Sequence, residues 1–91
     1  MKPLRDLFLP VLLLLAPAAM ADEEFYGRLE SRPTGKAGTW VVGGRQLAVT
    51  DNTRLDEDDG PLVVGACVEV EYANGAIKEI ESEDDAKKCG K

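Results

Sequence analysis

Ala66-Cys67-Val68-Glu69-Val70-Glu71-Tyr72-Ala73-Asn74-Gly75-Ala76-Ile77-Lys78-Glu79-Ile80 is the stretch whose reading decides the fold. Ala66, Val68, Val70 and Tyr72 alternate with Cys67, Glu69 and Glu71, the period-two pattern of a strand with one buried face. Asn74-Gly75 follows, a pair that takes the positive φ angles of a two-residue hairpin turn, so the chain is expected to return antiparallel. Such a turn sets Tyr72 opposite Ile77 on one face and Glu71 opposite Lys78 on the other. Ile80 then falls on the wrong face. A one-residue bulge near Glu79 would turn it inward against Val70.

Upstream the same period recurs. Phe25, Gly27 and Leu29 alternate with Tyr26, Arg28 and Glu30, and Arg32-Pro33-Thr34-Gly35 breaks that strand. Thr39 to Val42 and Arg45 to Thr50 are β-rich runs separated by Gly43-Gly44, which predicts a second tight hairpin with Leu47 and Val49 pointing inward. Asp51 to Pro61 is polar and reads as a loop or at most a single helical turn. Short strands with one apolar face each leave an edge exposed unless the sheet closes, so the sequence predicts a small closed or nearly closed barrel of five to six strands.

In order, Gly27-Arg28-Leu29-Glu30, Trp40-Val41-Val42-Gly43-Gly44, Val49-Thr50-Asp51-Asn52-Thr53-Arg54-Leu55, Val64-Gly65 with Val68-Glu69-Val70, and Gly75 with Glu79-Ile80-Glu81 resemble a bacterial exported domain family known only as a domain of unknown function (DUF5666-like). The resemblance implies an all-β, OB-like or SH3-like barrel, often found as a repeated or appended module. It brings no assigned activity and no catalytic residues. Cys67 and Cys89 lie outside the family's pattern.

The N-terminus reads as an export signal. Lys2 and Arg5 precede the apolar run Leu7 to Ala16, and Ala19-Met20-Ala21 places small residues where a signal peptidase cuts, between Ala21 and Asp22. Leu7 to Ala21 is 15 residues, which at about 1.5 Å per residue is too short to cross a hydrocarbon core of about 30 Å. No cysteine follows the small residues to carry a lipid, so no stable membrane anchor is expected. The chain thus divides into a signal peptide (1–21), a β-barrel domain (22–82) and a charged tail (83–91), with the periplasm or exterior as its location. Once the leader is removed, 9 basic and 16 acidic residues remain, a net charge of −7. That sign repels phosphate backbones, which argues against nucleic acid as a partner.

A domain this small needs a staple, and an exported thiol pair oxidises. Cys67 and Cys89 are therefore expected to form a disulfide that ties the tail to the barrel. Cys67 sits on the outer face of its strand, so the bridge is expected at the surface. A redox role is the less favoured reading, because the cysteines do not form a CxxC and neither sits at a predicted helix N-terminus.

Catalytic chemistry is sparse. The sequence contains no His, which removes the commonest general base and metal ligand together. Ser31 and Ser82 lie in loop-like surroundings without an activator, and a small barrel offers little depth for a carboxylate pair, so the chain is not expected to be an enzyme or to hold a cofactor. Asp56-Glu57-Asp58-Asp59 is a weak candidate for a hard cation, with Asp56, Asp58 and Asp59 as ligands. Counting from Asp56, however, the sixth residue is Pro61 and the twelfth Cys67, not the Gly and Glu of an EF-hand, so a solvated loop is the preferred reading. Glu81, Glu83, Asp84 and Asp85 form a second acidic cluster. Tyr26, Trp40 and Tyr72 are candidates for an exposed stacking platform, but packing of Trp40 beside Val42 in the core is the preferred reading, because a core this small needs large side chains. The Thr53 hydroxyl is suited to bonding a local backbone amide. The expected function is an exported binding or accessory module contacting another protein or an envelope component. A divalent-cation module and a thiol/disulfide redox protein are the alternatives.

Overall fold

A computed structural model describes residues 22–90, so the predicted signal peptide lies outside the described residues. The described chain is all-β apart from one 3₁₀ turn. Its elements are β1 (Glu23–Ser31), β2 (Gly38–Val42), β3 (Arg45–Val49), β4 (Arg54–Asp56), β5 (Cys67–Ala73), β6 (Ala76–Ser82) and a 3₁₀ turn at Ala86–Cys89. They form one six-stranded sheet in the order β3-β2-β1-β5-β6-β4. The sheet is not closed. β3 comes near β6, but the hydrogen-bonding edge of β6 away from β5 is taken by β4, which pairs with it in parallel through Leu55 and Ile80. Of the expected closed or nearly closed barrel, full closure is thus excluded, and a strand is added within the stretch read as a loop.

β1 joins the two halves. Glu23 to Arg28 pair with β5 on one side, and Leu29 and Ser31 pair with β2 on the other, with an irregular step between them. Gly27 sits where β1 passes under the β2–β3 turn. A Cβ there would lie 3.0 Å from the Gly43 Cα, backbone against backbone, so the crossing requires a residue without one. Both predicted hairpin turns form, with φ of 55° and 82° at Gly43 and Gly44 and of 56° and 79° at Asn74 and Gly75.

The β5–β6 register decides which side chains are buried. Tyr72 faces Ile77 as the turn predicts, and Val70 faces Ile80. The extra residue is Lys78, one position before the expected bulge, so Glu71 meets Glu79 and the anticipated Glu71–Lys78 pair is absent. Burying Ile80 is worth about 1.5–3 kcal/mol, whereas an exposed ion pair contributes about 0–1 kcal/mol. The apolar contact therefore sets the register, and the like-charged pair is its consequence.

The core gathers Leu29, Trp40, Val42, Leu47, Leu62, Val68, Val70 and Ile80, with Phe25, Leu55 and Tyr72 packed against it. Trp40 is its largest member and is fully buried. Its Nε1 donates to the Lys36 carbonyl at 2.8 Å, and the Arg32 guanidinium covers the ring at 4.1 Å. The indole thus has a hydrogen-bond partner as well as packing.

Candidate binding face

Strand alternation sends one set of side chains to the core and the other to the opposite side of the sheet. On β1, β5, β6 and β4 that other set is rich in acidic residues. Glu24 lies opposite Glu71, Tyr26 opposite Glu69, Glu69 opposite Glu81, and Glu71 opposite Glu79. Asp56 lies beside Glu81 and Arg54 beside Glu79. Like charges directly across a ladder destabilise it, yet here they run across neighbouring strands. Arg54 offsets part of this: its Nη2 lies 2.8 Å from Glu79 and 3.4 Å from Asp56. The hydrogen bond from Arg54 to Glu79, then the Glu79 charge, raises the guanidinium above its usual range.

The carboxyl of Glu69 is pushed up to about 7, first by its hydrogen bond with Glu24, then by burial, then by the charges of Glu24, Glu81 and Glu71. Glu81 is also raised, by burial first and then by Glu79 and Asp56. Asp59 is raised chiefly by the charge of Asp84.

The structure separates the residues singled out from sequence. Asp56, Asp58 and Asp59 do not converge: Asp56 turns toward Arg54 and accepts from the Asp58 amide at 2.9 Å, while the Asp59 amide donates to Ser82 Oγ at 3.1 Å. Glu57 accepts from the Leu62 amide at 2.7 Å. Much of the acidic loop is thus held by its own backbone. The carboxylates drawn close together are Asp56, Glu79 and Glu81, with oxygens within 4.8 Å of one another. That grouping was invisible in the sequence because it depends on the parallel β4–β6 pairing. Arg54 donates to two of the three and is their counter-ion.

The aromatic platform is likewise not assembled. Trp40 is buried in the core, and Tyr72 points to the core side, its ring centroid 6.1 Å from that of Phe25. Tyr26 alone lies on the outer face, where Lys88 Nζ stands 5.1 Å from its ring centroid. Ser82, read as a loop residue, is buried at the end of β6, and its hydroxyl donates to the Asp56 carbonyl at 3.3 Å.

Cys67 and Cys89 are bonded, with Cα atoms 5.9 Å apart. Cys67 does occupy the outer side of β5, opposite Arg28. It is buried rather than at the surface, because the 3₁₀ turn packs over β1 and β5. Asp85 caps that turn by accepting from the Lys87 amide at 3.1 Å, and Glu83 donates its amide to the Cys67 carbonyl at 2.9 Å. The tail is therefore docked on the sheet. No pocket opens among the described residues.

These features define a small all-β module with one apolar side packed into a core and one acidic side facing outward. The chain belongs to the family described as Domain of unknown function (DUF5666), which matches residues 26–78. The match runs from Tyr26 on β1 to Lys78 on β6, so Cys89 and the docked tail lie beyond it. No curated protein and no solved structure matches the chain.

Proposed function

We propose that this chain is an exported, non-enzymatic binding or accessory module, acting in the periplasm or outside the cell, whose acidic sheet face contacts a basic patch on another protein or envelope component. The observation that supports it most is the alignment of Glu24, Glu69, Glu71, Glu79, Glu81 and Asp56 on one side of β1, β5, β6 and β4, with Arg54 ion-paired at its edge. Charge of one sign on one face steers a partner of the opposite sign and fixes its orientation. The Lys2 and Arg5 start, the apolar run and Ala19-Met20-Ala21 support export, with the mature chain beginning at Asp22. The strand order, with β3 near β6 across the open side, favours an OB-like barrel left unclosed there over an SH3-like one.

The test is cross-linking in intact envelope followed by mass spectrometry, comparing wild type with Glu71→Gln/Glu79→Gln. A partner that binds this face is recovered with wild type, is lost with the double variant, and weakens as salt rises. Equal recovery by both proteins would remove the face from the reading.

A further inference from the structure

Where β1 meets β5, the outer face sets glutamates next to one another. Glu24 and Glu69 are diagonal neighbours across the β1–β5 ladder, since Glu24 pairs with Glu71 and Tyr26 with Glu69. The register sets both side chains on one face, and hydrogen bonding to Glu24 is the first cause that holds the Glu69 carboxyl up. Two carboxylates are acceptors only, so that bond exists only when one of them carries a proton.

The neighbouring strands add further acidic groups around Glu69, and the cations near it are engaged elsewhere. β6 presents Glu81 directly opposite and Glu79 beside it, and β5 itself adds Glu71. β1 presents Glu24, Tyr26 and Arg28, and Arg28 is turned away, its Nη1 donating to the Gly65 carbonyl at 3.0 Å. The 3₁₀ turn presents Lys88, which is engaged with Tyr26. From β4, Arg54 is held by Glu79 and Asp56.

We propose that the outer face is a proton-sensitive element of the fold, in which Glu69 holds a proton beside Glu24 across the β1–β5 ladder and its loss sets carboxylates against each other on β1, β5 and β6. The proton comes from solvent and returns to it. In the unfolded chain Glu69 is away from these groups and releases its proton in the ordinary glutamate range, so the folded state holds a proton that the unfolded state has lost. Stability is then fully present below about pH 4.5, falls as the pH rises, and the contribution is gone above about pH 7. This trend is the opposite of a carboxylate stabilised by a salt bridge. It requires no partner and stands apart from the binding reading.

Thermal unfolding of the disulfide-bonded mature chain at constant ionic strength, from pH 5.5 to pH 8, tests it. Wild type is expected to melt several degrees lower at pH 8 than at pH 5.5. Glu69→Gln supplies an amide donor to Glu24 without a titrating proton, so it is expected to flatten most of that slope and to melt above wild type at pH 8. Glu24→Gln serves the same purpose from the other partner, and carboxyl NMR of wild type should place the Glu69 midpoint near pH 7. A wild-type melting temperature that is level or rises from pH 5.5 to pH 8 would overturn the proposal. So would an unchanged slope in both Gln variants, or a Glu69 carboxyl titrating below pH 5.5.

Discussion

Thr53→Val is the sharpest probe of how the β4 segment is held. Thr53 is 1 % exposed, although it stands in the polar stretch between β3 and β4. Its Oγ1 donates to the Ile77 carbonyl at 2.8 Å and accepts from the Thr50 amide at 3.2 Å. It thereby pins the turn after β3 to the start of β6. Valine keeps the shape and the β-branching but removes the hydroxyl. A buried group left without its partner costs about 1–3 kcal/mol, and a net hydrogen bond about 0.5–1.5 kcal/mol. The Ile77 carbonyl is the buried partner and takes the larger figure, while the Thr50 amide is closer to water and takes the smaller. The expected loss is thus about 2–4 kcal/mol, a large share of what one small core supplies. For a domain of this size each kcal/mol moves the melting temperature by about 4–8 °C, so the drop should be about 10–25 °C by circular dichroism or calorimetry. Thr53→Ser keeps the hydroxyl and loses one methyl, and should cost about 1 kcal/mol. A Val variant that melts with wild type while the Ser variant does not would refute the hydroxyl as the anchor and leave only packing.

Three further perturbations follow from the fold. Reduction, or Cys89→Ser, removes a link between residues 22 apart in sequence; in the chain-entropy model this costs about 3 kcal/mol, to be read as a lower urea midpoint together with faster hydrogen exchange at Ala86 to Cys89. Trp40→Ala empties the centre of the core and should cost about 3–5 kcal/mol, enough to unfold most of the population at room temperature; a folded variant would contradict the burial described. Arg54→Gln leaves Asp56, Glu79 and Glu81 without their counter-ion, so the melting temperature should fall and the gap to wild type should narrow as salt is raised from 0.01 M to 1 M. A gap independent of salt would point to packing of the Arg54 stem instead.

The two hairpins were legible in the sequence for a local reason. Asn74-Gly75 and Gly43-Gly44 supply positive φ within two residues, and the alternation beside them says which side chains go inward. The pairing of Tyr72 with Ile77 follows from those two signals alone, whereas that of Val70 with Ile80 needs the bulge as well. What escaped was non-local. β4 is three residues long and acquires its strand geometry from a parallel neighbour far along the chain, so no periodicity could announce it. The grouping of Asp56 with Glu79 and Glu81 inherits that difficulty. The bulge was off by a single residue, because apolar burial and charge pairing compete there and only their relative size decides between them.

By itself the sequence determined that the chain is β-structured, where its tight turns fall and which face of β5 is apolar. Each of these depends on φ preferences and a two-residue period that operate over a few residues. Tertiary structure decided that the sheet stays open with β4 on its edge, that the 3₁₀ turn buries Cys67, and that carboxylates from β1, β5, β6 and β4 share one face. Those outcomes depend on which strands meet. That choice is made by burying Val70, Ile80 and their neighbours together, and the polar residues on the opposite face are carried to wherever it places them.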